Sequence, residues 1–208
     1  MRKKILKVII ILLFLLLLAY CIIIARRFYI INQIKNAYKQ YQNIDNYYIY
    51  TSSVTESISG ESSSTTAYNE MFYKENNYKQ VINFGDTQLI FFVNLDDNIA
   101  FKFDSETKIK ELIDIESAPV MLTISDLTSD LLISDDNYTN FLSALSIFSF
   151  NISTEGDSYV IKSGSVEEYI NKENKLLEKQ IITDDYSRQV TNCSVEFGTV
   201  TDEMVNDI

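Results

Sequence analysis

The chain of 208 residues carries 18 basic and 29 acidic side chains, a net charge of −11, and not one histidine. The missing histidine excludes Ser-His-Asp and Cys-His nucleophilic mechanisms as well as the usual zinc sites. All acidic residues lie beyond residue 27, and the remainder there has 12 basic against 29 acidic side chains. It therefore lacks the basic face that nucleic-acid binding requires.

The first predicted element is a membrane anchor. Residues 8–25 are apolar throughout, with Tyr20 and Cys21 the only partly polar members. About 18 such residues are enough to cross a hydrocarbon core as a helix. A basic cluster precedes the run and favours a cytoplasmic amino terminus; it consists of Arg2, Lys3, Lys4 and Lys7. We predict that residues 1–27 form a cytoplasmic basic tail and a transmembrane signal-anchor, with the rest of the chain outside.

Two kinds of processing compete with a retained anchor. A secretory signal needs small residues before its cleavage site, and no convincing A-x-A pattern precedes Ala25. A lipoprotein signal ending at Cys21 would place the bulky Tyr20 where a small residue is required. An uncleaved anchor is the favoured interpretation, and a lipid-modified Cys21 is the alternative. The other cysteine, Cys193, is expected to be a small buried apolar residue without a disulfide partner.

A juxtamembrane helix is predicted for residues 28–46. Apolar or aromatic residues recur there at spacings of three and four, as on one face of a helix. They include Ile31, Ile34, Tyr38 and Tyr41.

Residues 47–208 are predicted to form one β-rich extracytoplasmic domain. Alternating aromatic and β-branched residues indicate strands, and the short polar connections between them require antiparallel pairing. The predicted strands begin at residue 47 and continue at 67–74, 78–84, 88–94, 99–103, 158–162, 166–171, 176–183 and 189–197. Turn-forming residues at 171–175 indicate a hairpin. Two covering helices are predicted at 125–132 and 136–148, behind the single proline, Pro119.

A family resemblance rests on the helix running into residues 47–55 and on four further segments. These segments are 71–74, 77–79, the hairpin start at 169–173 and the closing stretch at 196–203. The layout resembles the LolA/LolB/LppX-like lipoprotein-carrier superfamily, and the closing stretch is similar to the ends of membrane-anchored ectodomains of low-GC Gram-positive bacteria. The resemblance implies an α+β fold in which a strongly curved antiparallel sheet forms a half-open barrel covered by helices. It also implies a concave apolar surface that holds an acyl chain or an apolar protein segment.

The 14 tyrosines and 12 phenylalanines supply the candidate ligand-binding residues. An aromatic residue at alternate strand positions more often packs in a core than forms a ligand platform. Those that would line a concave sheet are Tyr73, Tyr78, Phe84, Phe91, Phe101 and Phe103.

Four pairs of adjacent carboxylates are the remaining candidates for chemistry. They are Asp96/Asp97, Asp135/Asp136, Glu167/Glu168 and Asp184/Asp185. Adjacent side chains in a strand point to opposite faces, and no segment has the spacing of a calcium loop. Solvated turn residues are the favoured interpretation, and a carbohydrate-cleaving enzyme is the weak alternative.

The sequence thus predicts no enzyme, no cofactor and no metal site. The expected function is a membrane-anchored extracytoplasmic binding module that holds a lipid or another apolar ligand. The alternative is a structural or protein-interaction domain of the cell envelope without a small ligand. The expected partners are the membrane itself and either a lipid or an envelope protein.

Overall fold

One long helix leads into the sheet in the computed structural model of the chain, which describes residues 2–58, 64–129, 141–142, 144–145 and 151–206. Helix α1 (Arg2–Tyr41) runs without interruption through the apolar run and through the segment expected to be a juxtamembrane helix. It contains neither glycine nor proline, so nothing in its sequence breaks the backbone hydrogen bonds. The anchor and the juxtamembrane helix predicted from the sequence are therefore parts of one element.

Eleven strands form a single antiparallel, curved and open sheet. In chain order they are β1 (Asn46–Ser57), β2 (Ser64–Lys74), β3 (Asn77–Phe84), β4 (Thr87–Asn94), β5 (Ile99–Asp104), β6 (Lys110–Ile113), β7 (Asn151–Glu155), β8 (Ser158–Ser163), β9 (Val166–Asn171), β10 (Leu177–Thr183) and β11 (Ser187–Phe197). Their spatial order is β6-β5-β4-β3-β2-β1-β11-β10-β9-β8-β7. The first and last strands pair at the centre, and the edge strands β6 and β7 leave the sheet open. The predicted α+β class and curved antiparallel sheet are confirmed.

The nine predicted strands all occur, and β9 and β10 form the predicted hairpin. The edge strands β6 and β7 were not predicted. The first expected covering helix, at 125–132, is not found as such in the described residues. A short 3-10 helix, Ile124–Leu127, stands in its place and ends at Thr128, whose backbone is extended. Another 3-10 helix, Ile115–Ser117, precedes it. Most of the second expected covering helix lies outside the described residues; within it, Phe141, Leu142, Ala144 and Leu145 are helical. A short helix, α2 (Asp202–Asn206), closes the described chain.

The core lies between the end of α1 and one face of the sheet, called here the inner face. The α1 residues Ile30, Ile31 and Ile34 are buried in one cluster with Ile49 of β1 and Met71 of β2. Other members of this cluster are Tyr47, Tyr78, Val93, Ala100, Ile124, Leu127, Ala144, Ile161, Ile170, Leu176 and Leu177. The last four turns of α1 are thus part of the hydrophobic core of the sheet.

The opposite, outer face carries a row of aromatic residues on β1, β2, β4 and β5, with Lys79 of β3 in the middle of the row. Tyr48 packs on Phe72 with ring centroids 4.8 Å apart. Lys79 Nζ lies 5.2 Å from the ring centroid of Phe92, which is the cross-strand partner of Phe101. Pairs of this kind stabilise a sheet by packing across strands and by cation–π attraction. Large aromatic side chains therefore occur on both faces of the sheet.

Candidate functional site

A cleft of about 240 Å³ opens where α1 ends against the sheet. Its walls come from the last turn of α1 and the loop that follows, from the start of β1 and the end of β2, and from the segment that leads into the second 3-10 helix. The lining residues are Tyr38, Tyr41, Gln42, Ile44, Tyr47, Tyr73, Met121, Thr123, Ile124 and Ser125. None of these ten side chains is charged, in a chain with 23% charged residues.

Stacked aromatic rings fix two walls of the cleft. Tyr47 and Tyr73 are cross-strand partners, and their ring centroids are 4.8 Å apart at an interplanar angle of 20°. Tyr41 stacks on Phe197 at 5.1 Å, and its hydroxyl donates to the carbonyl oxygen of Asn174 over 2.8 Å. Burial raises the pKa of Tyr47 well above its ordinary value, with smaller contributions from Tyr73 and Asp126. Tyr47 is therefore neutral at physiological pH, and the ring stacking holds Tyr41, Tyr47 and Tyr73 in place.

Hydrogen bonds between Thr123 and Asp126 hold the segment that lines the cleft at residues 121–125. The Asp126 carboxylate accepts hydrogen bonds from the backbone N–H of Thr123 at 2.6 Å and from its hydroxyl at 2.8 Å. This arrangement caps the 3-10 helix Ile124–Leu127 and buries Ile124 and Leu127. The site is thus a cleft whose walls combine aromatic and aliphatic side chains with hydroxyl and amide groups, and none of its lining residues carries a carboxylate or an amine.

The structure places only some of the predicted binding residues together. Tyr73 lines the cleft, and its cross-strand neighbour Tyr78 is buried in the core beside it. Phe91 lies on the inner face of β4 and is buried. Phe84 is on the same face of β3 as Tyr78 but at the far end of the strand, where 58% of it is exposed.

Phe101 and Phe103 lie on the outer face and do not share a surface with the other four. Strand β5 buries Ala100 against the core, so the alternate residues point away from it. Phe101 faces Phe92, and Lys110 Nζ lies 4.5 Å from the Phe101 ring centroid. The six residues therefore do not line one concave surface.

The sequence prediction also missed several cleft residues. Tyr38 and Tyr41 were recognised as part of a helical face, but what that face packs against depends on the tertiary fold. Met121 and Ile124 come from a connecting segment without a periodic pattern. Only Tyr47 had a local signal, as an aromatic residue opening a strand.

Most of the carboxylate pairs hold turns or the sheet together. Asp184 accepts hydrogen bonds from the backbone N–H groups of Tyr186 and Ser187, which lowers its pKa. Asp96 and Asp97 accept from the side-chain amides of Asn76 and Asn94. The pair Asp135/Asp136 lies outside the described residues.

Glu167 and Glu168 point to opposite faces of β9, as expected for neighbours in a strand. Glu167 forms an ion pair with Lys162 over 2.9 Å. Glu168 is buried on the inner face, where it accepts hydrogen bonds from the Ser129 hydroxyl and, at 3.4 Å, from the Gln180 amide. The two carboxylates therefore do not face a common substrate position.

Other depressions in the described part of the chain lie away from the cleft. One of about 440 Å³ follows the sheet edge at β6 and includes the charged Asp114. Another, of about 190 Å³, lies between α2 and the outer face and is lined in part by Phe101. Neither joins the uncharged aromatic walls of the cleft.

Comparison with known proteins finds similarity in structure only. No family profile and no curated protein matches the sequence. One similar solved structure is a DUF1329 family protein from Desulfovibrio piger, with 9% sequence identity, coverage of 87% of this chain and 95% of that chain, and a TM-score of 0.31. A second is a putative outer membrane lipoprotein-sorting protein domain from Vibrio parahaemolyticus, with 12% identity, coverage of 88% of this chain and 97% of that chain, and a TM-score of 0.35. A third is a LolA superfamily protein from Nitrosomonas europaea, with 10% identity, coverage of 84% of this chain and 96% of that chain, and a TM-score of 0.36. The third of these proteins belongs to the superfamily that the sequence resembles. The likenesses are distant, so the fold rests on this chain's own strand order and no ligand follows from them.

Proposed function

We propose that the chain is a membrane-anchored, extracytoplasmic binding module whose cleft holds a lipid or another apolar ligand without catalysing a reaction. Support for the anchor comes from the first part of α1, which is long and apolar enough to cross a membrane. The basic residues before it favour a cytoplasmic amino terminus. The observation that carries the binding proposal is the cleft itself, with ten uncharged lining residues, four of them tyrosines.

The size of the cleft limits what it holds. A dry apolar cavity of about 150 Å³ accepts a benzene molecule, and pockets for drug-sized ligands begin at about 300 Å³. A cleft of about 240 Å³ therefore suits one ring or the end of an acyl chain. A whole lipid would leave most of its length outside.

A second candidate function is an envelope protein-interaction domain without a small ligand. The filling of the concave sheet by the protein itself favours it, since Ile30, Ile31 and Ile34 occupy the middle of the inner face. In that case the cleft receives an apolar side chain of a partner protein.

Photocrosslinking in membranes tests the binding proposal. The full chain is expressed in bacterial membranes that contain a fatty acid with a photoreactive group at its end, and labelled peptides are mapped after illumination. Tyr41 lies sixteen residues beyond Ala25, about 24 Å along the helix, so a label at the cleft cannot come from the bilayer interior. We expect label on the cleft segment 121–125 as well as on the apolar run.

Two variants make this result specific to the cleft. Ser125→Trp places a large ring in the cleft and is expected to remove most of the label at 121–125 while leaving the label on the apolar run. Thr107→Trp adds the same ring to an exposed turn and is expected to change neither. Label on the apolar run alone in the unmodified chain would reject the ligand and favour the interaction domain.

A further inference from the structure

Three large side chains are exposed where α1 enters the sheet domain. Tyr29 is 61% exposed, Phe141 42% and Leu142 45%. Phe141 packs edge-on against Phe28 of α1, with ring centroids 6.0 Å apart at 83°. This contact fixes residues 141–142 beside α1 at the level of Phe28. We call Tyr29, Phe141 and Leu142 the collar.

The height of the collar follows from helix geometry. Phe28 is three residues beyond Ala25, the end of the apolar run, which is about 4.5 Å along the axis. The polar region of each leaflet is about 5–7 Å deep, given a bilayer of about 40–45 Å with a hydrocarbon core of about 30 Å. A helix that spans the membrane with residues 8–25 therefore holds the collar within the headgroup region.

We infer that the collar inserts into the headgroup region of the outer leaflet and docks the sheet domain on the membrane surface. The inference rests on the proposed anchoring by α1. Aromatic residues favour this depth because one part of the ring is apolar and the polar tip remains hydrated. Tyr29 fits this description, since its hydroxyl accepts a hydrogen bond from the Gln33 amide at 2.5 Å.

The charge of the domain determines which lipid surface it fits. Beyond residue 27 the chain has 12 basic and 29 acidic residues, so anionic lipids repel the domain as a whole, and Arg26 and Arg27 are the positive charges that lie at the level of the collar. Docking therefore depends on burial of apolar side chains, which salt does not screen. The fitting partner is a zwitterionic phospholipid surface.

Docking also sets the orientation of the domain. Because α1 continues into the core without a linker, the domain cannot rotate freely about the anchor. The collar adds a second point of attachment beside the helix. The cleft, at Tyr41, then lies about 20 Å farther along α1 from the membrane than Phe28.

A single tryptophan tests the collar, because the chain has none of its own. The full-length variant Phe141→Trp is reconstituted in phosphatidylcholine vesicles with or without bromine on the acyl chains, which quench tryptophan at membrane depth. Leu142→Trp repeats the measurement in case the first variant folds poorly. Phe14→Trp lies within the apolar run and serves as the control for insertion. Val120→Trp serves as the distant control, since Val120 is 92% exposed and adjoins Met121 of the cleft.

We expect strong quenching of Phe14→Trp, intermediate quenching of Phe141→Trp or Leu142→Trp, and almost none of Val120→Trp. Quenching at the collar should exceed that of Val120→Trp by at least about threefold and should persist at high salt. If Phe14→Trp is quenched while both collar variants behave like Val120→Trp, the result supports insertion of α1 in the membrane and contradicts insertion of the collar. If Phe14→Trp is not quenched, the result contradicts insertion of α1 in the membrane and, with it, docking by the collar.

Discussion

Removing residues 1–42 is expected to abolish the folded state, whereas removing residues 1–25 is expected to preserve it. The three isoleucines at 30, 31 and 34 are fully or almost fully buried against the sheet. Burial of each contributes about 1.5–3 kcal/mol, so their loss removes about 5–9 kcal/mol. The total stability of a domain is only about 5–15 kcal/mol. Deletion also exposes the inner face of the sheet to water.

Urea unfolding of the two shortened chains, followed by circular dichroism, measures this difference. Residues 26–208 should unfold in one cooperative transition, and residues 43–208 should show none. A cooperative transition of similar midpoint in both chains would contradict the role of α1 in the core.

The second large effect is expected from Ile34→Ala. Ile34 has no exposed surface, and a buried isoleucine replaced by alanine leaves a cavity that costs about 2–5 kcal/mol. Tyr29→Ala is the matched control on the same helix, because Tyr29 lies largely in solvent in the shortened chain. Its effect should stay within about 0.5 kcal/mol.

Both variants are compared by urea unfolding of residues 26–208. The Ile34→Ala midpoint should fall without a change in the denaturant slope, since the surface exposed on unfolding is nearly the same. An equal effect of the two substitutions would show that this face of α1 does not pack on the sheet.

Strand positions could be predicted from the sequence because local chemistry specifies them. In β3 and β4 the alternation of apolar residues and the turn residues between them fix both boundaries. The edge strands were missed for the opposite reason. The segment Lys110–Ile113 is short, mostly exposed and lacks an apolar alternation that a core would impose.

The assignment of faces could not be predicted where both faces are apolar. In β5 the pattern Ile99, Phe101, Phe103 predicts an inward aromatic set, yet Ala100 occupies the core. The aromatic set instead continues the row of Phe92 on the outer face. Alternation gives two sets of residues, and only the sheet pairing and the covering α1 decide which set is inside.

The cleft was only partly predictable for a related reason. Its walls come from a helix end, two strands and a connecting segment that are distant in sequence. Tyr73 was identified because it stands in a strand with strong aromatic alternation. Tyr38 and Tyr41 reach the cleft because the end of α1 packs against the sheet, where Tyr41 stacks on Phe197 of β11, and this long-range contact has no local signal in the sequence.

Labelling of an introduced cysteine tests the retained anchor and the external domain together. Val120→Cys places a thiol at an exposed position beside the cleft. Cys21 lies in the apolar run, and burial raises the pKa of Cys193 to about 11, so both native thiols react slowly with a maleimide near neutral pH. Spheroplasts that express the variant are treated with a membrane-impermeant maleimide, and the intact mass of the product is measured. We expect one label on the uncleaved 24.0 kDa chain before lysis. Labelling only after lysis, or a labelled chain that lacks the apolar run, would contradict a membrane-anchored extracytoplasmic domain.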